Sequence, residues 1–238
     1  MTTLTRIIII SIISILMLSC NFMPGIDGNG NVVNAERSIS NDFDEIKVSQ
    51  GLDLYITQSD DVSIRLEADE NLHELIMTEV ENSVLRIYTA ENIRRATSKK
   101  IMVNLKTISA IKATSGSDVL STNTIEVSDL ELNATSGADI TLDVKTESLN
   151  CHSTSGSDIE ISGSTINLIA EATSGSDIDA SKLKAETSNV KATSGADISV
   201  NTSKALTANA TSGGDIKYYG NPEKVNKSDN SAGRIKQQ

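Results

Sequence analysis

The stretch Ala113-Thr114-Ser115-Gly116-Ser117-Asp118-Val119 returns five more times along the chain, its Thr-Ser-Gly core starting at Thr135, Thr154, Thr173, Thr193 and Thr211. The fourth position is Ser, Ala or Gly, the fifth is always Asp, and Ile or Val follows. The steps between copies are 21, 19, 19, 20 and 18 residues, a period of about 19 (97 residues over five steps). Periods of this order belong to stacked repeat architectures.

On either side of the motif the sequence alternates. Before it, Ile111, Leu132, Cys151, Ala170, Val190 and Ala208 share one column, and Ala113, Ala134, Ser153, Ala172, Ala192 and Ala210 the next inward one. Between them stand Lys112, Asn133, His152, Glu171, Lys191 and Asn209. After it, Val119, Ile140, Ile159, Ile178, Ile198 and Ile216 resume the apolar column. A period of two is that of a half-buried strand. A third apolar patch follows in most units (Ile125 and Val127, Val144, Ile166 and Leu168, Leu183). Three short strands and three corners in about 19 residues predict one coil of a three-sided parallel β-helix. A unit this short has no room for two packed helices, and it lacks the Leu and Asn framework of leucine-rich repeats and the Gly-Gly-x-Gly-x-Asp pattern of the calcium β-roll. Gly116, Gly137, Gly156, Gly175, Gly195 and Gly213 are expected at the corners, where positive φ is needed.

Composition fits a thin core of small and β-branched residues: the 238-residue chain is 38% hydrophobic but only 3% aromatic, with no Trp. Arg6, the apolar run Ile7 to Leu18, Ser19 and Cys20 form a secretory signal, and Met17-Leu18-Ser19-Cys20 resembles a bacterial lipobox. Residues 1–19 are therefore expected as a cleaved lipoprotein signal, with Cys20 lipidated and residues 20–35 as a tether. The domain is expected over 36–220, irregular β structure to 110 and regular coils over 111–220, with 221–238 as a cap or tail. The segment Asn71 to Val80 reads as a short helix or as a strand from Glu74. Glu91 to Lys100 reads as a charged, solvated loop, and the pair Tyr218-Tyr219 as a cap on the open core.

The mature chain has 20 basic residues (21 less Arg6) against 32 acidic, a net charge of −12. That balance excludes nucleic acid, whose binding depends on neutralising phosphates. With Cys20 lipidated, only Cys151 remains, so no disulfide can form within the chain; its inward column makes it a small apolar residue. His152 points the other way, against a Cys–His catalytic pair.

The chain also carries Phe43-Asp44-Glu45-Ile46-Lys47-Val48, then Gly51-Leu52-Asp53-Leu54-Tyr55-Ile56-Thr57-Gln58, Glu67-Ala68-Asp69-Glu70-Asn71-Leu72 and Leu85-Arg86-Ile87, before the Ser-Gly-x-Asp units and Gly220-Asn221-Pro222. In this order the motifs resemble the head GIN domain family, named for auto-transporter adhesins and found in lipoproteins of Bacteroidetes. The resemblance implies a right-handed parallel β-helix and carries over no catalytic residue.

The aspartates Asp118, Asp139, Asp158, Asp177, Asp197 and Asp215 would stack about one strand spacing apart, where like charges repel by about 1 kcal/mol in water. Each is expected to accept backbone N–H bonds within its own corner, as in an Asx turn. The alternatives are a cation ladder, for which Ca²⁺ with its oxygen ligands is the natural ion, or a sugar-binding face. The function expected is a non-enzymatic cell-envelope lipoprotein, an adhesin-like or scaffold β-helix on the outer membrane, facing the periplasm or the surface. It would bind glycan or protein, require no cofactor, meet the membrane through its anchor, and leave exposed edges for self-association. The alternatives are a polysaccharide-active β-helix enzyme, whose paired carboxylates would be a local exception to the repeat, and a calcium-stabilised structural solenoid.

Overall fold

Each repeated corner turns on two successive residues in the left-handed region. In a computed structural model describing residues 24–38, 42–230 and 232–238, Ser115 and Gly116 have φ of 58° and 69°, and Ser155 and Gly156 60° and 68°. The other four copies repeat the pair. The serine thus adopts the strained conformation as well as the glycine, at a cost of about 1–2 kcal/mol for an L-residue. The turn leaves the backbone ladder intact: the N–H groups of Gly116, Gly137, Gly175 and Gly195 donate to the carbonyls of Ser136, Ser155, Ser194 and Ser212 in the next coil, at 3.1–3.3 Å.

Between corners the chain is one long strand per coil. Asp139–Thr154, Asp158–Thr173, Asp177–Thr193 and Asp197–Thr211 pair in parallel with their neighbours. The coil from Asp158 shows three sides. Ile159 and Ile161, then Thr165, then Leu168, Ala170 and Ala172 are buried. Outward breaks at residues 162–164, 166–167 and 173–175 separate them. The apolar columns fuse into one core from Phe43 to Tyr218. Cys151 lies in it, fully buried.

The fourth motif position points inward. Ser117, Ala138, Ser157, Ser176, Ala196 and Gly214 are all buried, which explains why only the smallest residues occur there. Its serines fasten the corner. The N–H of Thr154 donates to Ser157 Oγ (3.1 Å), which lies 2.8 Å from the carbonyl oxygen of Ala134 in the preceding coil. Thr173 and Ser176 repeat this, with Ser176 Oγ 2.8 Å from the Ser153 carbonyl.

Several expectations for the ends are corrected. The regular stack begins well before residue 111. Glu45–Val48 and Asp53–Gln58 pair in parallel with the Ala110–Thr114 and Asp118–Ser121 coil, and Gln50 and Gly51 (φ 65° and 68°) form the same corner. On its other side this coil pairs in parallel with Val84–Thr89 and Lys99–Leu105. Antiparallel strands then close the end: Ser63–Asp69 on Lys99–Leu105, Val32–Arg37 on Ser63–Asp69, and Ile76–Glu81 on Val84–Thr89. Of the two readings of 71–80 the strand is the one found: a 3-10 turn, Glu70–Leu72, runs into the strand Ile76–Glu81. The charged loop contains a strand, Ile93–Arg95, paired with Ile26–Asp27. Residues 24–35 are therefore packed chain and not a tether. At the far end Lys224–Asp229 and Arg234–Gln237 add a further coil. Tyr218 is buried beneath Lys227, whose Nζ sits 4.5 Å from the ring centroid, while Tyr219 is exposed. The signal and Cys20 lie outside the described residues.

Glycines differ in what they permit. A Cβ on Gly163 (φ 105°) would lie 2.0 Å from the Val144 carbonyl oxygen, whereas one on Gly156 meets nothing within 4 Å. Gly156→Ala is expected to cost about 1–2 kcal/mol and Gly163→Ala about 2–5 kcal/mol. Urea unfolding of the two variants measures the difference.

Candidate functional site

The corner delivers one aspartate per coil to the same outward column. Their register is continuous: Asp53, Asp118, Asp139, Asp158, Asp177, Asp197 and Asp215 are successive neighbours. The sequence-based column held six; the structure adds Asp53, because Gly51-Leu52-Asp53-Leu54 is a copy of the corner with Leu in the inward position. The row ends in cations, with Lys100 next to Asp53 and Arg234 next to Asp215 in the same column. Arg234 Nε donates to Asp215 Oδ1 at 3.0 Å, and the Lys99 ammonium donates to the Gly51 carbonyl beside Asp53.

The expected Asx-type tie is not how the corners are held. The aspartate N–H groups continue the interstrand ladder, Asp139 to Ser117 O and Asp177 to Ser157 O, and the inward serine makes the local tie. Asp118, Asp139 and Asp197 bear repulsion from neighbouring carboxylates, offset in part at Asp139 by the backbone N–H of Asp158. Burial, then the Asp53 carboxylate, pushes Asp118 above the usual carboxylate range. Burial, then Asp118, does the same to Asp139. Burial, then Asp177 and Asp215, raises Asp197. Burial also raises Asp53 against the pull of Lys99 and Lys100. Asp215 is lowered by its bond from Arg234. The row offers one carboxylate per coil in a line, whereas Ca²⁺ takes a cage of six to eight oxygens. Among the described residues no three His, Cys, Asp or Glu side chains converge on a metal-sized position.

A second feature was not legible from the columns. A groove of about 960 Å³ runs along the stack and takes residues from five coils. One wall is the row Glu126, Lys145, Ser164, Lys184 and Asn201, neighbours in the ladder. The other wall carries Glu147, Ile166 and Glu186. Thr146, Thr165 and Ala185 are buried along the floor, and the two threonine hydroxyls bond at 2.9 Å. The central coil breaks the pattern on both walls. Ser164 stands between two lysines, and Ile166, 44% exposed, stands between two glutamates. Lys145 pairs with Glu126 at 3.1 Å, and Lys204 pairs with Glu186 at 2.5 Å. Such exposed pairs are worth little and exchange readily for a ligand. A smaller hollow holds His152, Glu171 and Lys191, with His152 Nδ1 3.8 Å from Glu171 Oε2. Cys151 lies in the core behind it, its thiol pushed far up by burial, so the cysteine and the histidine do not form a catalytic pair.

Residues 42–222 match the family model described as "Putative auto-transporter adhesin, head GIN domain". The chain belongs to the head GIN domain family. A "putative adhesin" of Bacteroides fragilis has the same fold (TM-score 0.84, 20% identity, covering 90% of this chain and 100% of that one). A "Putative lipid binding protein" of Parabacteroides distasonis aligns at TM-score 0.75 and 26% identity over 90% of this chain and all of that one. A "putative adhesin" of Parabacteroides merdae gives 0.74 and 21% over 91% and 100%. No curated protein matches. Among the described residues no helix is long and apolar enough to cross a membrane.

The raised aspartates set a pH dependence. Their ionisation destabilises the fold at neutral pH, and that cost disappears as pH falls through their raised values toward the ordinary 3.8. Below that, carboxylates lowered in the fold, Asp69 and Asp215, lose their contribution. Melting temperature is expected to rise as pH falls from 7 to about 4 and to drop below it. Asp139→Asn should raise the melting temperature at pH 7, with a smaller gain in about 1 M NaCl, where screening is short-ranged.

Proposed function

We propose that this head GIN domain protein is a non-enzymatic, adhesin-like scaffold of the bacterial cell envelope, anchored by a lipid on Cys20. It binds an extended glycan or peptide along the flank of the solenoid. The groove across five coils carries this reading. Four strand spacings give it a length of about 19 Å, which suits a chain-like ligand lying parallel to the stack. One wall carries Lys145 and Lys184 beside Glu126, the other Glu147 and Glu186, and two threonines lie on the floor. The central Ser164–Ile166 notch is where a bulky group would seat. The family's adhesin name supports the reading. Carboxylates that recur in every coil belong to the repeat, which speaks against reading any two of them as a catalytic pair.

The test is binding of the purified domain to glycan and peptide arrays. A bound class should be released unchanged, and Ile166→Arg, an exposed change that leaves the core intact, should reduce binding at least about tenfold, equivalent to 1.4 kcal/mol. Turnover of a polysaccharide, lost on changing one carboxylate and not its neighbours, would replace this reading with an enzyme.

A further inference from the structure

Residues 24–37 are fastened to one end of the solenoid. Pro24 to Asn31 are held against the capped end by a series of specific bonds. Ile26 N–H donates to Asn92 O (2.8 Å) and Gly28 N–H to Arg95 O (2.7 Å). Arg94 forms a two-pronged pair with Asp27. Asn71 donates to Asp27 O and accepts from Asn29 N–H, at 2.9 and 2.8 Å. Beneath them Asp69, fully buried, accepts N–H bonds from Gly30, Thr97 and Ser98 at 3.1–3.2 Å. Burial opposes its ionisation, but these bonds outweigh it and hold its carboxyl below the usual range. Gly28 packs so closely that a Cβ there would lie 1.8 Å from Asp69 Oδ2.

Only residues 21–23 separate Cys20 from this fastened chain. Four residue steps reach at most about 14 Å. From this we infer that the acyl anchor holds the antiparallel cap of the solenoid against the bilayer, so that the open coil at Lys224–Gln237 is the distal end. The inference rests on the lipid anchor of the proposed function. One sheet face runs from Val32–Arg37 through Ser63–Asp69, Lys99–Leu105, Asp53–Gln58 and the coil strands to Arg234–Gln237. Those eleven strands make ten spacings, about 48 Å, so the two ends are far enough apart to be told apart by a headgroup quencher. The aspartate row lies along that same face. Laying this flank flat on anionic headgroups would set its row of carboxylates against like charge, which favours an end-on attachment. The groove then stands along the side of the upright solenoid, clear of the bilayer.

The test uses the full chain, expressed with its signal and reconstituted in phosphatidylethanolamine–phosphatidylglycerol vesicles carrying a nitroxide on the headgroup. Fluorophores go on Glu91→Cys at the cap and, in a second preparation, Lys236→Cys at the far end; buried Cys151 does not react. Quenching at 91 is expected to exceed that at 236 several-fold. A Gly/Ser insert of about 20 residues after Cys20, with an r.m.s. span of about 25 Å, should weaken the difference. Equal quenching, or stronger quenching at 236, overturns the orientation. The mass of the N-terminal peptide reads the anchor separately. A Cys20 without lipid overturns the anchor alone, and a maleimide lipid coupled to Cys20 then decides the orientation by the same comparison.

Discussion

The structure depends on turning the chain sharply at every coil without interrupting the parallel backbone ladder. A β-helix gains stability only by stacking, and the backbone bonds between adjoining corners extend that stacking to the exposed turns. The Ser-Gly pair in left-handed geometry makes the turn. It redirects the strand while the glycine N–H still donates to a serine carbonyl in the next coil. The strain at serine recurs at Ser115, Ser136, Ser155, Ser174, Ser194 and Ser212, and the stack sustains it because each corner is gripped by the one beside it. The small inward residue at the fourth position lets the turn close onto the core, and at Ser157 and Ser176 its hydroxyl ties the turn to the previous coil.

The aspartate row follows from that geometry. A residue placed identically in each coil must face its own copies, so the motif that makes the fold also lines up seven carboxylates. Lys100 and Arg234 close the line with opposite charge, and only Asp215 gains a direct partner from it. The row is an electrostatic load on the fold at neutral pH. The groove has the opposite character. It is built from side chains that differ between coils, Ser164 against Lys145 and Lys184, Ile166 against Glu147 and Glu186. Regular positions serve architecture and irregular ones are free to serve recognition.

Much of this was legible in the sequence where the repeat is strict. The period, the inward columns, the buried Cys151 and the glycine corners follow from alternation alone. The first corner was hidden because Ser49-Gln50-Gly51-Leu52-Asp53 keeps the Gly-x-Asp spacing but lacks the Thr-Ser pair. The strands that follow have no copy of the corner: Val84–Thr89 and Lys99–Leu105 still stack in parallel, but Ser63–Asp69 and Ile76–Glu81 join them antiparallel. Arg234 lies 19 residues after Asp215, so the period itself could have located the last coil, had a basic residue been admitted in the acidic column. The inward fourth position carries no apolar signal of its own: Ser, Ala and Gly alternate there, and only the structure shows them buried. The groove could not be read from columns: it depends on how far two outward rows splay at a concave corner, a tertiary property with no signature in spacing.

Native-state hydrogen exchange at the corner amides tests this account most directly. If the ladder runs through the corners, the N–H groups of Gly116, Gly137, Gly175 and Gly195 exchange as slowly as those of the adjoining strand residues, at the free energy of global unfolding. Corner amides that exchange as fast as surface turns, beside protected strands, would contradict it and reduce the motif to a set of loops between independently stable strands.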